Sequence, residues 1–304
     1  MLPGGSEAPT EVVVTVAMPV LNGGQDLALA VQSILDQSFA SWELLIVDDG
    51  STDGSLDALG GLDDRVLVLR DSQNRGLSAR LNQAVHLARG RYFARMDHDD
   101  VSHPDRLRLQ FEFLERHPEI DLLGSRCVAM SEDEHLIGEL PAPTSHEQIC
   151  MRPWKGFYLA HPTWIARTEW FARNPYRDPG PYRCEDQELL LRTHETSRFG
   201  ALPDALLAYR VRRRPGFKTL LKTRFALARE QVRYFSRRGR FAWCMLALSA
   251  ALARIGADLV ALLTLRAWSH RGVTIRGAAQ AEWQTIIADT RQRADISGRK
   301  LRKP

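Results

Sequence analysis

Two rhythms of apolar positions organise the first hundred residues. Val12–Met18 is a run of apolar and β-branched residues that ends in a turn at Pro19–Gly24, and Leu27–Leu35 then sets apolar residues at helical spacing. Trp42–Val47 repeats the strand pattern and stops abruptly at Asp48-Asp49-Gly50-Ser51. A third strand is expected at Arg65–Leu69 and a helix at Leu77–Ala88. A fourth strand at Tyr92–Met96 runs into Asp97-His98-Asp99-Asp100. Apolar strands alternating with helices predict an α/β fold whose mostly parallel sheet is covered on both faces. Ligands of such sheets bind beyond the carboxyl ends of the strands, where both acidic clusters fall.

The rhythm changes after residue 100. Pro104 suits the first turn of a helix running to Glu115. Shorter strands and Pro-rich loops follow, and Cys184-Glu185-Asp186-Gln187-Glu188 opens a helix through Arg192. Beyond Arg210 strand signals cease and the remainder reads as helical. Arg210–Arg240 holds twelve Lys and Arg against one acid, Glu230. Phe241–Leu265 is then apolar except for Arg254 and Asp258, whose i,i+4 spacing lets them pair. Its longest uncharged stretch, Phe241–Ala253, has 13 residues, short of the roughly 18–20 that span a bilayer. The expectation is a helix lying in an anionic membrane surface, fed by a polybasic segment. A helical hairpin packed on the catalytic domain, or on a second subunit of a homo-oligomer, is the alternative.

Charge sharpens that division. The net charge is +4, yet residues 1–200 carry 19 Lys and Arg against 31 Asp and Glu, and residues 201–304 carry 22 against 6. An acidic body thus precedes a basic tail, and a basic tail calls for an anionic partner. No nucleic-acid recognition motif accompanies the charge, which leaves the lipid surface. The four cysteines lie far apart with no C-x-x-C spacing, so neither a disulfide framework nor a zinc site is expected. Residues 1–11 lack a basic n-region and an apolar h-region and are expected to be a disordered N-terminus. Residues 12–212 are expected to form the catalytic domain and 213–304 the tail, placing the protein in the cytoplasm as a peripheral protein on the cytosolic face of a membrane.

Adjacent carboxylates repel unless a cation joins them or one takes a proton. Mg²⁺ or Mn²⁺ is the natural remedy, because hard cations prefer oxygen ligands and retain substrate phosphates. Asp-Gly-Ser-Thr-Asp is also good turn chemistry, so Asp48-Asp49 alone leaves both readings open. Two clusters at the ends of two apolar strands favour a site.

An ordered string of blocks resembles the family 2 glycosyltransferases. It comprises Met18-Pro19-Val20-Leu21-Asn22, Ile34-Leu35-Asp36-Gln37-Ser38-Phe39, Glu43 to Asp53, Asn74-Arg75-Gly76-Leu77-Ser78 and Ala94 to Asp100. Pro104-Asp105-Arg106-Leu107, His161-Pro162-Thr163, Glu185-Asp186 and Ala208-Tyr209-Arg210 complete it, so the resemblance covers about residues 12–212. Single blocks are weak, and the ordered set is specific.

The resemblance implies the nucleotide-diphospho-sugar transferase, or glycosyltransferase A-type, fold with a C-terminal helical extension. It implies a nucleotide-sugar donor, UDP-linked, and a glycan or lipid-linked acceptor. The loop with Pro19, Leu21 and Asn22 would hold the base, with Asp49 on its edge. Asp97 and Asp99 match the D-x-D motif, the first toward the ribose and metal, the second on the metal. Asp186 matches the catalytic base of an inverting displacement. Arg80 reads equally as a diphosphate contact or an exposed helix arginine, and His161 as an acceptor contact or a satisfied loop histidine. Glu185, beside the base, reads as an acceptor or phosphate contact, and its acidity also suits a helix N-terminus.

Two departures stand out. Leu21 replaces the aromatic of many relatives, and Tyr209-Arg210-Val211-Arg212 replaces a Tyr-Arg-x-His pattern, leaving Arg212 as a phosphate contact. The Gln/Arg-x-x-Arg-Trp motif of processive relatives is missing, so a single sugar is expected per event. A nucleotidyltransferase also uses paired carboxylates, but it calls for a Gly-rich basic loop after the first strand, and Pro19–Gly24 has no basic residue. A catalytically dead membrane-associated scaffold is opposed by the presence of Asp97, Asp99 and Asp186.

Overall fold

The computed structural model describes residues 11–60, 62–140, 143–211, 216–263 and 278–300. The expectations for residues 1–10 and for Arg212 lie outside the described residues. Nine strands form one sheet: β1 (Val14–Val20), β2 (Trp42–Asp48), β3 (Val66–Leu69), β4 (Tyr92–Arg95), β5 (Val101–Ser102), β6 (Leu122–Met130), β7 (Leu136–Leu140), β8 (Ile165–Arg167) and β9 (Phe199–Arg210). Their order is β3-β2-β1-β4-β8-β6-β9-β5, with β7 pairing β6 off that path. The β3-β2-β1-β4 half is parallel throughout. Beyond β4 the sheet is mixed, since β8 is antiparallel to both β4 and β6, and β6 runs parallel to β9.

Every residue of β1 and β2 is buried, as central parallel strands require. Successive side chains point to opposite faces. Val14, Val16 and Met18 join the core formed with α1 (Asp26–Leu35) and α3 (Arg106–Arg116), whereas Ala17 faces α2 (Leu77–Leu87). The second face also collects α5 (Thr168–Arg173) and α6 (Glu185–Thr193), with α4 (His146–Ile149) at its margin. Burying each large aliphatic side chain of these cores contributes about 1.5–3 kcal/mol.

Three helices follow the sheet among the described residues: α7 (Phe217–Ser236), α8 (Phe241–Leu263) and α9 (Ala278–Lys300). α7 packs on α6, and α8 packs on α7 and on the single-turn helix Pro153–Lys155. α9 lies elsewhere, packing Trp283 and Ile287 against Leu29, Val101 and Val128. By length and composition Phe241–Val260 is long enough to cross a membrane, beyond the 13-residue stretch counted from the charges. The two charges do not pair with each other. Asp258 accepts from Arg224 of α7 at 3.1 Å, and Arg254 donates to the backbone oxygen of Lys155. Two different neighbouring elements, α7 and the single-turn helix, offered these partners, which spacing along one helix cannot reveal.

Candidate active site

The carboxyl ends of β1, β2 and β4 open on a cleft of about 1240 Å³. The cleft brings together Pro19, Leu21, Asp49, Arg80, Asp97, His161, Glu185 and Asp186, which lie on six different segments of the chain.

Asp49 follows directly on β2, where its backbone N–H donates to Val20 oxygen at 2.8 Å. Its carboxylate accepts from the backbone N–H of Arg75 at 2.7 Å and of Gly76 at 3.0 Å, and from Arg80 Nε at 2.8 Å. Gly76 has φ +87°, a conformation open to glycine, and this presents its N–H to Asp49 as α2 begins. Arg80 is neither an exposed helix arginine nor free for a diphosphate. Its side chain is 0% exposed and is committed to Asp49, Asp71 and Gln83, so it braces Asp49 from below. Asn22 is a loop lock: its N–H donates to Ser51 Oγ, and its side-chain oxygen accepts from Thr52 N–H, both at 2.9 Å. Leu21 is exposed at the cleft wall.

The Asp97–Asp100 turn caps β4 on a bed of guanidinium groups. Arg95, buried in the last position of β4, holds both oxygens of Asp97, one of them at 2.8 Å from Nη1. Arg210 donates its backbone N–H to Asp100 Oδ1 at 2.8 Å and its Nε to the Asp99 backbone oxygen at 2.7 Å. Arg106, also fully buried, donates to the Arg95 backbone oxygen at 2.7 Å, and burial pulls its guanidinium down to about 9. Ligand atoms of Asp97, Asp99 and Asp100 lie within 4.8 Å of one another. Burial, and then the charges of Asp97 and Asp99, hold the Asp100 carboxyl well above the usual carboxylate range, and its Oδ2 is buried without a hydrogen-bond partner. Three carboxylates this close, with one buried oxygen left without a hydrogen-bond partner, fit a hard divalent cation such as Mn²⁺ or Mg²⁺.

Across the cleft, Glu185 and Asp186 form the first turn of α6. Desolvation raises both carboxyls: Glu185, with Asp186 adding to the effect, to about 7, and Asp186 above its ordinary value despite a bond from Gln187 Nε2 at 3.2 Å. A raised, solvent-reachable carboxylate is matched to taking a proton near neutrality. His161 is buried, its Nε2 2.7 Å from Tyr176 Oη and its ring edge-on to Trp164. Burial and the Arg95 charge push its pKa well below the ordinary value, so it is neutral and serves as a wall of the site.

Sequence reasoning overlooked Tyr158 and Tyr182 and gave no role to Arg95 and Arg210, though both lie within its motif blocks. A charged residue ending an otherwise apolar strand was the available signal for Arg95. Tyr158 and Tyr182 are exposed aromatics on the cleft wall, suited to stacking on a sugar, and nothing in their sequence neighbourhoods marks them.

The curled α/β sheet, with carboxylates gathered at its strand ends, defines the glycosyltransferase A-type class. Residues 15–174 match the Glycosyl transferase family 2 domain, and the chain belongs to that family. It is 38% identical over 123 residues to the putative glycosyltransferase EpsE of Bacillus subtilis (strain 168), covering 39% of this chain and 44% of that protein. The chain therefore spans less than half the length of this curated relative. S. aureus TarS 1–349 in complex with UDP superposes with a TM-score of 0.56 at 19% identity, covering 92% of each chain. Mannosyltransferase PcManGT from Pyrobaculum calidifontis, in complex with GDP-Man and Mn²⁺, gives 0.56 at 16% identity, covering 98% of this chain and 92% of that one.

Proposed function

We propose that this chain is an inverting, metal-dependent, non-processive glycosyltransferase of the hexosyltransferase type. It moves one sugar from a nucleotide-sugar donor, UDP-linked, to a glycan or lipid-linked acceptor in envelope polysaccharide biosynthesis. The observation that carries the reading is the raised Asp186 carboxyl opening on the same cleft as Asp49 and Asp97, with Asp99 and Asp100 gathered beside Asp97. TarS in complex with UDP and PcManGT in complex with GDP-Man support a nucleotide-linked donor on this fold.

The base of the donor lies against Pro19 and Leu21, with Asp49 on its polar edge, held there by Arg80. The ribose and diphosphate pass toward Asp97 and Asp99. When bound by those two residues, a divalent ion supplies positive charge against the leaving diphosphate. An acceptor hydroxyl beside Asp186 attacks the anomeric carbon as its proton passes to the Asp186 carboxylate. The bond from the anomeric carbon to the diphosphate oxygen breaks on the opposite face, and configuration inverts. Asp186 acts by position as well as basicity, since holding the hydroxyl in line replaces an entropic cost of association. Tyr158 and Tyr182 offer stacking surfaces to the acceptor sugar.

The basic tail holds the enzyme on the cytosolic face of an anionic membrane, where lipid-linked acceptors are presented. The decisive experiment incubates the full chain with a panel of nucleotide sugars, with Mn²⁺, Mg²⁺ or EDTA, and measures donor hydrolysis. Metal-dependent hydrolysis of one donor class is expected. Silence with every donor favours the dead scaffold, and pyrophosphate release from nucleoside triphosphates favours a nucleotidyltransferase.

A further inference from the structure

The outer surface of α8 is mostly apolar, with Ser249 the one exposed polar side chain between Phe241 and Val260. Phe241, Met245, Leu248, Leu252 and Leu259 recur on one helical stripe and are exposed, Phe241 and Leu252 at 68% each. Only 22% of the Phe241–Val260 stretch is buried, which rules out a core helix. The two charges of the helix point inward to Arg224 and Lys155, so no charge interrupts the outer face between Phe241 and Val260.

A second cleft, of about 530 Å³, opens between α6 and α7 just before α8 begins. Arg177, Arg192, Arg233, Arg237 and Arg238 line it, against two acids, Glu188 and Glu230. Both acids are neutralised: Glu230 by Arg177 at 2.7 Å and Glu188 by Arg192 at 3.3 Å. Arg238 stacks over Tyr234 at 3.7 Å and reaches Glu195 at 3.3 Å. Arg233 and Arg237 are exposed and make no side-chain hydrogen bond or close ion pair among the described residues, Arg233 reaching Glu230 only through its field. Arg237 and Arg238 precede Phe241 directly on the turn into α8. α6 separates the two clefts, with Asp186 opening on one and Arg192 on the other.

We propose that the outer face of α8 and this arginine cleft form one lipid-binding surface. The apolar stripe lies among acyl chains, and Arg233 and Arg237 take the phosphate of an anionic membrane lipid. Apolar contact and phosphate contact separated by one turn match the layering of a bilayer interface, where headgroup phosphates sit beside the acyl boundary. Two guanidinium groups whose donors are not taken up among the described residues suit a phosphate, whose oxygens each accept from them. The proposal rests on the membrane-surface reading above and narrows it from a diffuse basic tail to one built surface.

The test is flotation of the full-length protein with vesicles of phosphatidylglycerol in phosphatidylcholine, against phosphatidylcholine alone, at low and high salt. The wild type should float with the anionic vesicles. Arg233→Ala combined with Arg237→Ala should weaken that binding by roughly tenfold or more, and Leu252→Gln should remove the part that survives high salt. Soluble pyrophosphate should compete only at concentrations far above those of vesicle lipid, and competition at equal concentration would assign the cleft to a free anion and overturn the lipid assignment. If the wild type floats and both variants float equally well, the arginine–α8 surface is wrong while the membrane reading stands. If the wild type ignores anionic vesicles, both fall. A dimer in sedimentation that Leu252→Gln dissociates would give the α8 face to a second copy of the chain and overturn the proposal. Transfer to a soluble acceptor should be unchanged in every variant.

Discussion

The catalytic cleft and the tail treat charge in opposite ways. At the candidate site, Asp97, Asp99 and Asp100 are drawn together above Arg95, Arg106 and Arg210, and Glu185 and Asp186 are set side by side across the cleft, so that like charges crowd around one opening. In α8, each charge is turned inward to its own partner, and the surface left outside is apolar. Uncompensated like charge is costly and persists where a ligand or proton relieves it. Uncompensated apolar surface is likewise costly in water and marks a place for something to cover it. The two halves thus advertise different partners, a cation with a diphosphate on one side and an amphiphilic layer on the other.

The largest effect that sharpens this contrast is expected at Asp99. Asp99→Ala should reduce transfer by roughly 10³-fold or more, since stabilisation of a leaving diphosphate is worth several kcal/mol. Unchanged circular dichroism would show that the fold is intact, and full activity in saturating EDTA would contradict the metal reading. Next comes Arg95→Met, which frees both oxygens of Asp97 and removes the charge facing His161. A loss of roughly 10²-fold is expected, mostly in kcat, with donor affinity falling less. A pure KM effect would make Arg95 a donor-binding residue instead.

A smaller effect concerns pH. A base works only when unprotonated, and desolvation raises the folded-state pKa of Asp186 above its ordinary value, with Glu185 at about 7. kcat/KM should therefore fall as pH drops, with an acid limb above the ordinary aspartate range. A profile flat down to that range would contradict the assignment. The smallest effect on catalysis should come from Asp258→Ala, which strips Arg224 of its carboxylate. Urea unfolding should show a loss of about 1–3 kcal/mol, with soluble transfer preserved. An equal loss of transfer would tie the tail to the cleft rather than to a surface.

Much of this was legible in the chain itself. β1, β2, α2 and β4 announce themselves because fully buried parallel strands must be apolar throughout, and the acidic turns at their ends have nowhere else to go. The resemblance then marked Asp49, Asp97, Asp99 and Asp186; the fold brings Asp49, Asp97 and Asp186 to one cleft and sets Asp99 beside Asp97. Contacts between distant segments were not legible. Arg80 read equally as a diphosphate contact or an exposed arginine because helix position does not reveal that the loop Asp71–Gln73 closes over it. The 12-residue strand β9 is broken in pattern by Pro203 and Asp204, where its register against β6 shifts, so alternation failed to mark it. The partners of Arg254 and Asp258 lie on other helices, and no spacing within α8 could name them.

The central claim is that Asp186 takes the proton of the acceptor. Asp186→Asn keeps the shape of the side chain but cannot accept that proton at neutral pH. Titration calorimetry with the preferred nucleotide sugar, paired with single-turnover transfer, tests it most directly. Donor affinity within about twofold of the wild type, with turnover lowered by roughly 10²-fold or more, is the predicted result. Normal turnover in the Asp186→Asn protein would contradict it.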